Sequence, residues 1–554
     1  MKKKLRSNAA NNPGRRAHWL ALGISDEDMQ KPKIAVVNSS SELAICFSHL
    51  DGVARIVKDA IRAAGGLPFE IRTTAPSDFI FMGGGGGYIL SSRDLIVNDI
   101  EVQVEGSQLD GMICLSSCDK TPVAHLMAAG RLNIPTILVI CGYQPSGRYE
   151  NKHVDLEDVW FGSVQQAFGK MSEEKLKGMA ENAVRGPGVC AGMATANSMH
   201  VVCEALGMTL PGSAPVLADS PRMKAFARMS GKRIVEMVEE DLKPRDILTR
   251  GAFSNAVSAV LAVSGSINCI KHLQATAVES DVDVDIFQMF NDVGEKVPVL
   301  SAVKPNGTYT INQFEEAGGA RAILKRLEPL LDTGVMTVTG NTLAQNLKDA
   351  VVNDDDVIRP LDKAFSTKSP IVILRGTLAP ESAVVKLGIR DGSRRAQFTG
   401  PAIVYDDAEV AIKAIENGEV KPGQVLVIRG MGLRGGPAMA GAASLVVFAL
   451  DSAGLSLDVA FISDGQLSGL CNKGITIAEV SPESAIGGPL ALVRNGDQIS
   501  IDVDRHILDL DVSEEELARR REALGDLLPQ SSGYLSIYQR TVQPMSTGAV
   551  FVKK

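Results

Sequence analysis

Aromatic residues make up only 5% of the 554-residue chain, and no apolar run reaches the ~18 residues that a membrane span requires. The best run, Ala438 to Leu450, is rich in Gly and Ala, so no membrane partner is expected. A cationic excess is missing as well: 57 Lys and Arg stand against 65 Asp and Glu, a net charge of −8, and clusters such as Arg519, Arg520 and Arg521 are short. Nothing here would neutralise a nucleic-acid backbone, and no such partner is expected. Cysteine is scarce: 8 in a chain of this size are too few for a disulfide scaffold, which leaves unpaired thiols or metal thiolates in a reducing compartment. Met1 to Ser7 begins with charge and runs into Asn, Pro and Arg instead of the apolar stretch of a secretory signal, so a cytoplasmic location is expected. What is plentiful is 45% hydrophobic residues, 22% charged residues and 53 Gly, a globular composition.

Residues 33–40 (KIAVVNSS) form a β-branched apolar run that ends in polar residues, and 50–64 carries Val53, Ile56, Val57 and Ile61 at helical spacing before Gly65 and Gly66. The strand–helix pattern repeats: 111–117 is a buried strand, 121–132 a helix and 136–142 another strand. Such alternation predicts a mostly parallel sheet with helices on both faces and functional loops at the carboxyl ends of its strands. From about 193 to 365 the chain reads as mainly helical, with amphipathic stretches at 223–242 and 255–276 and a helical segment near 317–331. The acidic Asn353 to Asp356, then Pro360 and Ser369-Pro370, mark a boundary. Beyond it lie strands at 371–375, 402–405, 424–429 and 458–463, then Asn495-Gly496 as a hairpin turn into 499–503 and 507–510. Ser513 and Glu516 form a capping box for a helix through Arg521. The expectation is an α/β N-terminal domain with a parallel sheet and a helical part, 1–365, and a β-rich, barrel-like C-terminal domain, 366–554.

Five consecutive glycines, Gly83 to Gly87, invite a phosphate-loop reading, but Tyr88 stands where the last glycine of the dinucleotide fingerprint belongs, and no G-x-x-x-x-G-K-[ST] occurs. The segment Ser116 to Lys120 is more informative, since it puts a thiol, a carboxylate and an amine at the end of a buried strand. Cys114, Cys141, Cys203 and Cys269 fall on apolar faces and read as small buried hydrophobes. Cys118, Cys46 after the first strand and Cys190 in a glycine-rich loop have polar surroundings instead. No C-x-x-C pair points to structural zinc. Three loop thiolates with one open position suit an iron–sulfur cluster better.

The chain resembles the family of dihydroxy-acid and sugar-acid dehydratases that also includes 6-phosphogluconate dehydratase. The resemblance spans nearly the whole chain and is carried by Asn38 to His49, Ser77-Asp78 with Ser92-Arg93, Cys118 to Thr121, the Cys190 loop, Leu210 to Ser213, Thr337 to Gly340, Leu378 to Glu381, Ser463 to Gly469 and Val480 to Glu483. It implies a [2Fe-2S] cluster on Cys46, Cys118 and Cys190, Mg2+ on Asp78, Asp119 and a carboxylated Lys120, and Ser468 as the base that removes the C2 proton. The implied reaction takes water from a 2,3-dihydroxy carboxylate and leaves a 2-keto-3-deoxy acid. A homodimer or homotetramer is implied too.

Departures from the family pattern gather around this site. Gly441 stands where members carry a magnesium-binding Glu, and no Asp or Glu lies between Glu419 and Asp451. Thr121-Pro122-Val123-Ala124-His125, Phe79, Gln466 and the glycine run also differ, and His125 reads as a structural histidine, because imidazole suits magnesium poorly. Ser41-Glu42-Leu43 and 232–238 are similar to sugar-acid members, whereas Gly435-Gly436-Pro437 resembles the branched-chain biosynthetic members. The expectation is a sugar-acid dehydratase, with a dihydroxy-acid dehydratase of branched-chain synthesis or an impaired binding paralogue as alternatives.

Overall fold

Apolar, β-branched runs without polar alternation form strands that are covered on both faces. β1 (Lys33–Asn38), β3 (Gly111–Ser116) and β4 (Thr136–Ile140) are such runs, buried at every position, and β2 (Leu67–Arg72) joins them at the edge. The computed structural model describes residues 5–6, 12–82, 86–389, 395–436 and 440–551. In it the four strands form a parallel sheet of order β2-β1-β3-β4, in register through Lys33 with Leu67, Ile34 with Gly111 and Met112 with Thr136. Helices Leu50–Ala63, Lys120–Leu132 and Pro221–Glu240 cover it, and Gly87–Ser107 packs against Lys120–Leu132. A short hairpin, β5 (Gly147–Tyr149) and β6 (Lys152–Val154), precedes the helix Leu156–Ala167. The helix expected over 255–276 is broken into Arg250–Ala262 and Asn268–Glu279 around Ser264-Gly265-Ser266.

The C-terminal strands are β7 (Ile371–Leu374), β8 (Ser382–Lys386), β9 (Gln397–Tyr405), β10 (Val425–Ile428), β11 (Ala460–Ser463), β12 (Thr476–Ser481), β13 (Gln498–Asp502) and β14 (Ile507–Asp511). Their order is β14-β13-β9-β10-β11-β12-β8-β7, and Arg375 just past β7 bridges to Ile507 in β14, so the sheet nearly closes into a barrel. Strand alternation divides the core accordingly: Val425, Val427 and Ile462 fill the barrel, while Leu426, Ile428 and Phe461 face the apolar core shared with the N-terminal part.

Two details correct the sequence reading. Asn495-Gly496 is a turn that leads into β13, and the β13–β14 hairpin itself is closed by residues 503–506. Ser513 accepts a hydrogen bond from the Glu516 N–H, but the Glu516 carboxylate turns to Arg520 instead of completing the box. Among the described residues no helix is long and apolar enough to cross a membrane.

Buried lysines fasten the two parts together. Lys386 of β8 donates to Ser264 O, Ser264 Oγ and Gly265 O at 2.7, 3.1 and 2.7 Å, and Lys271 of helix Asn268–Glu279 pairs with Glu479 of β12. The loop after β11 in turn lines one cavity with residues that follow β2 and β3.

Candidate active site

Parallel strands deliver their following loops to one edge of the sheet; two of those loops carry thiols, and a third thiol comes from a loop between two helices that is pinned to the same edge. Cys46 lies in the turn after β1, Cys118 directly follows β3, and the Cys190 loop is stitched beside the end of β4, where Gln144 N–H donates to Val189 O and Val189 N–H to Gly142 O. Side chains fix these loops: Ser117 Oγ donates to Cys46 O, and Asn197 Nδ2 donates to Cys190 O and Gly192 O at 2.8 Å each. The Cys46 and Cys118 thiols share a hydrogen bond, which holds Cys46 below the usual thiol range and, with burial, pushes Cys118 above it. Burial, then the neighbouring Glu157, push Cys190 up as well. Cys114, Cys141, Cys203 and Cys269 are buried, with burial raising each thiol.

Lys120 opens the helix that follows Cys118, and its fully buried ammonium sits 2.7 Å from Asp119 Oδ2 and 3.3 Å from Asp78 Oδ2. Burial alone would lower Lys120, but the two carboxylates outweigh it and hold it above its ordinary range. Burial and the facing Asp119 push Asp78 up to about 8, against Lys120. Burial would raise Asp119 too, yet Lys120 and His272 keep it well below the carboxylate range. Asp78 Oδ1 and Asp119 Oδ1 are buried and have no hydrogen-bond partner among the described residues. Two aspartates brought together, each with an unused oxygen, are a donor set for a hard divalent cation.

Ser468 stands in the loop after β11. Asp464 anchors that loop by accepting from the N–H groups of Gly430, Met431 and Ser484. The Ser468 N–H donates to Ser444 Oγ at 2.9 Å, and Ser468 Oγ accepts from the Leu470 N–H at 3.3 Å. One cavity is lined by Ser468, Asp78, Asp119, Cys118 and Cys190, so the structure brings together residues from three N-terminal loops and the barrel. Cys46 reaches the group through its bond to Cys118.

Among the described residues the one trio of His, Cys, Asp or Glu ligand atoms within 4.8 Å of one another is His153, Asp155 and Asp158. Lys304 Nζ already occupies that trio, 3.0 Å from Asp155 Oδ2 and 2.9 Å from Asp158 Oδ2. The Cys46, Cys118 and Cys190 thiols do not form such a trio.

Several expectations resolve at this site. His125 is buried away from the cavity, with Nδ1 on Ser116 Oγ at 2.9 Å, a structural histidine. Neither amide atom of the buried Gln466 has a partner among the described residues. Gly86 and Gly87 begin the helix Gly87–Ser107, while Gly83, Gly84 and Gly85 lie outside the described residues. Gly441 lies in the first turn of helix Ala440–Ala453, and 437–439 before it are also outside them. Sequence reasoning missed Glu157, Thr195 and Asn268, all of which line the cavity. Glu157 in the first turn of a helix reads as an ordinary favourable charge near a helix N-terminus, and no spacing rule puts it beside the Cys190 loop.

Comparison with known proteins gives two family matches: the family described as dihydroxy-acid/6-phosphogluconate dehydratase N-terminal matches residues 31–346, and its C-terminal counterpart matches 356–549. The chain is 42% identical over 539 residues to a dihydroxy-acid dehydratase of Caldicellulosiruptor saccharolyticus, covering 97% of both chains. It is 42% identical over 513 residues to one from Ignicoccus hospitalis, covering 91% of both. A third, from Pyrococcus furiosus, is 40% identical over 538 residues and 97% of both chains.

Proposed function

Because the chain belongs to the dihydroxy-acid/6-phosphogluconate dehydratase family, we propose that it removes water from a 2,3-dihydroxy carboxylate to give a 2-keto-3-deoxy acid. Cys46, Cys118 and Cys190 would hold a [2Fe-2S] cluster; Asp78, Asp119 and a carboxylated Lys120 would hold Mg2+. Residues 1–365 would thus supply the metal ligands and 366–554 the base. The observation that carries this reading is the single cavity shared by Cys118, Cys190, Asp78, Asp119 and Ser468, with an unused buried oxygen on each aspartate.

When bound, the two groups would supply Lewis acidity toward the carboxylate and hydroxyls of the substrate. The protein's own part is to remove the C2 proton and to exclude water. Ser468 Oγ is the atom that takes the proton, and the Leu470 N–H it already accepts would stabilise the alkoxide. A serine hydroxyl is otherwise far too weak a base, so nearby positive charge must lower its pKa. Phe79, Met82, Ile89, Trp160 and Leu470 form an apolar wall that keeps water from the reacting carbon.

The sugar-acid expectation rests on two short segments, whereas relatives matched over nearly the whole chain carry the name dihydroxy-acid dehydratase. A dihydroxy acid with a short alkyl chain therefore takes first place, and the apolar wall suits it. The second reading, a paralogue that binds without turnover, draws on Gly441, which offers no carboxylate where one is expected.

Anaerobically reconstituted protein with Mg2+ should convert 2,3-dihydroxyisovalerate to its 2-keto acid faster than it converts aldonates, and Ser468→Ala should stop this with the cluster absorbance intact. Loss of all 2-keto acid formation in fully loaded protein would favour the paralogue reading. Light scattering should give a homodimer or homotetramer; a monomer would overturn that assembly.

A further inference from the structure

Glu157 has no part in the mechanism above, yet it is buried in the same cavity. It is the second residue of helix Leu156–Ala167, where its N–H donates to the Asp155 carboxylate at 3.0 Å. Its side chain turns inward, and neither carboxylate oxygen has a hydrogen-bond partner among the described residues. Gly192 makes the room: a Cβ added there would stand 2.7 Å from both oxygens.

A buried carboxyl group without a partner forfeits its hydration and gets nothing back. The cation that acts most on it, Lys304, is committed to Asp155 and Asp158. Two donors that line the same cavity are engaged elsewhere: Asn268 Nδ2 donates to Thr195 Oγ1 at 3.0 Å, and Thr195 Oγ1 shares a hydrogen bond with Ser266 Oγ at 2.8 Å. The missing partner must come from whatever fills the cavity.

Electrostatics then orients that ligand. The charged neighbours that act most on Glu157 are Asp155, Lys304 and Asp158, whereas Asp78 faces Asp119 and Lys120, so the cavity has two polar ends. Burial, then Asp155, push Glu157 up to about 8, so near neutral pH it is an uncharged carboxyl group, and a substrate carboxylate belongs at the Asp78–Asp119 end, where the cation would sit. With C1 and the 2-hydroxyl placed there, the next hydrogen-bonding group along a 2,3-dihydroxy acid is the 3-hydroxyl. We infer that Glu157 hydrogen-bonds the 3-hydroxyl of the substrate and so aims the leaving group, an inference that rests on the proposed dehydratase reading. Gly192 is part of the same device, because any larger residue would push the carboxyl group off this line.

The test uses holoenzyme carrying Ser468→Ala, which removes turnover, and compares 2,3-dihydroxyisovalerate with 2-hydroxyisovalerate, the same chain without the 3-hydroxyl. Binding is read calorimetrically and by the fluorescence of Trp160, which lines the cavity. With Glu157 present the diol should bind about three- to tenfold more tightly than the 3-deoxy ligand, the range of a hydrogen bond between neutral groups. Glu157→Leu should bring that ratio close to one while leaving the 3-deoxy ligand unaffected, and the isosteric Glu157→Gln should keep part of it. An unchanged ratio in Glu157→Leu overturns the inference, as does an equal loss for both ligands in both variants, which would mark a structural role. If native holoenzyme dehydrates no dihydroxy acid and binds neither ligand, the dehydratase reading fails, and this inference fails with it.

Discussion

Removing one half of the Lys271–Glu479 pair should be far worse than removing both. The two side chains are fully buried, with Nζ 2.5 Å from Oε1, and Lys271 Nζ also donates to Asn268 Oδ1 at 2.6 Å. Glu479→Leu leaves the ammonium with one neutral acceptor, and Lys271→Met leaves the carboxylate with none. Breaking a buried pair in this way costs about 3–5 kcal/mol, whereas replacing both partners with apolar residues of similar volume is neutral or stabilising by about 1–4 kcal/mol. The two single variants should therefore sum to roughly 6–10 kcal/mol of destabilisation, and Lys271→Met/Glu479→Leu should lie near the native protein, a coupling well above the ~0.5 kcal/mol within which independent sites add. Urea unfolding of all four proteins by circular dichroism measures this, compared transition by transition because a chain of this size need not unfold in one step. Single-variant losses below about 1 kcal/mol would refute the reasoning, since they would mean that the charges are not desolvated. The double variant should still bind substrate less well. Lys271 holds Asn268, which donates to Thr195 Oγ1 at 3.0 Å, and both of those residues line the cavity.

Three further outcomes are expected. Burial raises Glu204 from 4.5 to about 7 in the folded protein, against the Gly212 and Ala214 N–H bonds that it accepts, so its contribution is fully present below pH 4.5 and is lost as the pH rises through 7. Glu204→Gln should flatten the stability–pH curve in that window by up to about 3 kcal/mol; an unchanged curve in thermal melts from pH 4.5 to 7.5 would count against it. Asp78→Asn removes a carboxyl group whose charged form burial and the facing Asp119 both disfavour, so it should raise the melting temperature without Mg2+ and abolish the stabilisation that Mg2+ gives the native protein; retention of a Mg2+-dependent shift would remove Asp78 from the site. Cys118→Ser should lose iron and acid-labile sulfide together on reconstitution, while Cys141→Ala keeps both, as metal analysis and absorbance would report.

Much of the fold was legible because the buried strands announce themselves. Residues 33–40, 111–117 and 136–142 had no polar alternation to confuse them, and β1, β3 and β4 lie within those bounds. β2 escaped notice because Pro68 and Glu70 interrupt it, as suits an edge strand with one side open. β12 escaped for another reason: Glu479 reads as a polar residue in a strand and makes sense only beside Lys271, which is distant in sequence. The break at Ser264-Gly265-Ser266 is likewise invisible locally, since the carbonyls freed there are satisfied by Lys386 from the barrel. In each case a distant partner overrides the local pattern, and one sequence carries no sign of that partner.

The site divides along the same line. The thiols, Asp119 and Lys120 were legible because the chemistry sits where the fold class puts it, at the carboxyl ends of parallel strands. Ser468 was legible only through resemblance, since a serine in a glycine-rich loop is otherwise a turn residue. Glu157 had neither signal. What distinguishes it is an absence, two buried oxygens with no partner among the described residues, and an absence of that kind exists only once the chain is folded and its neighbours can be counted.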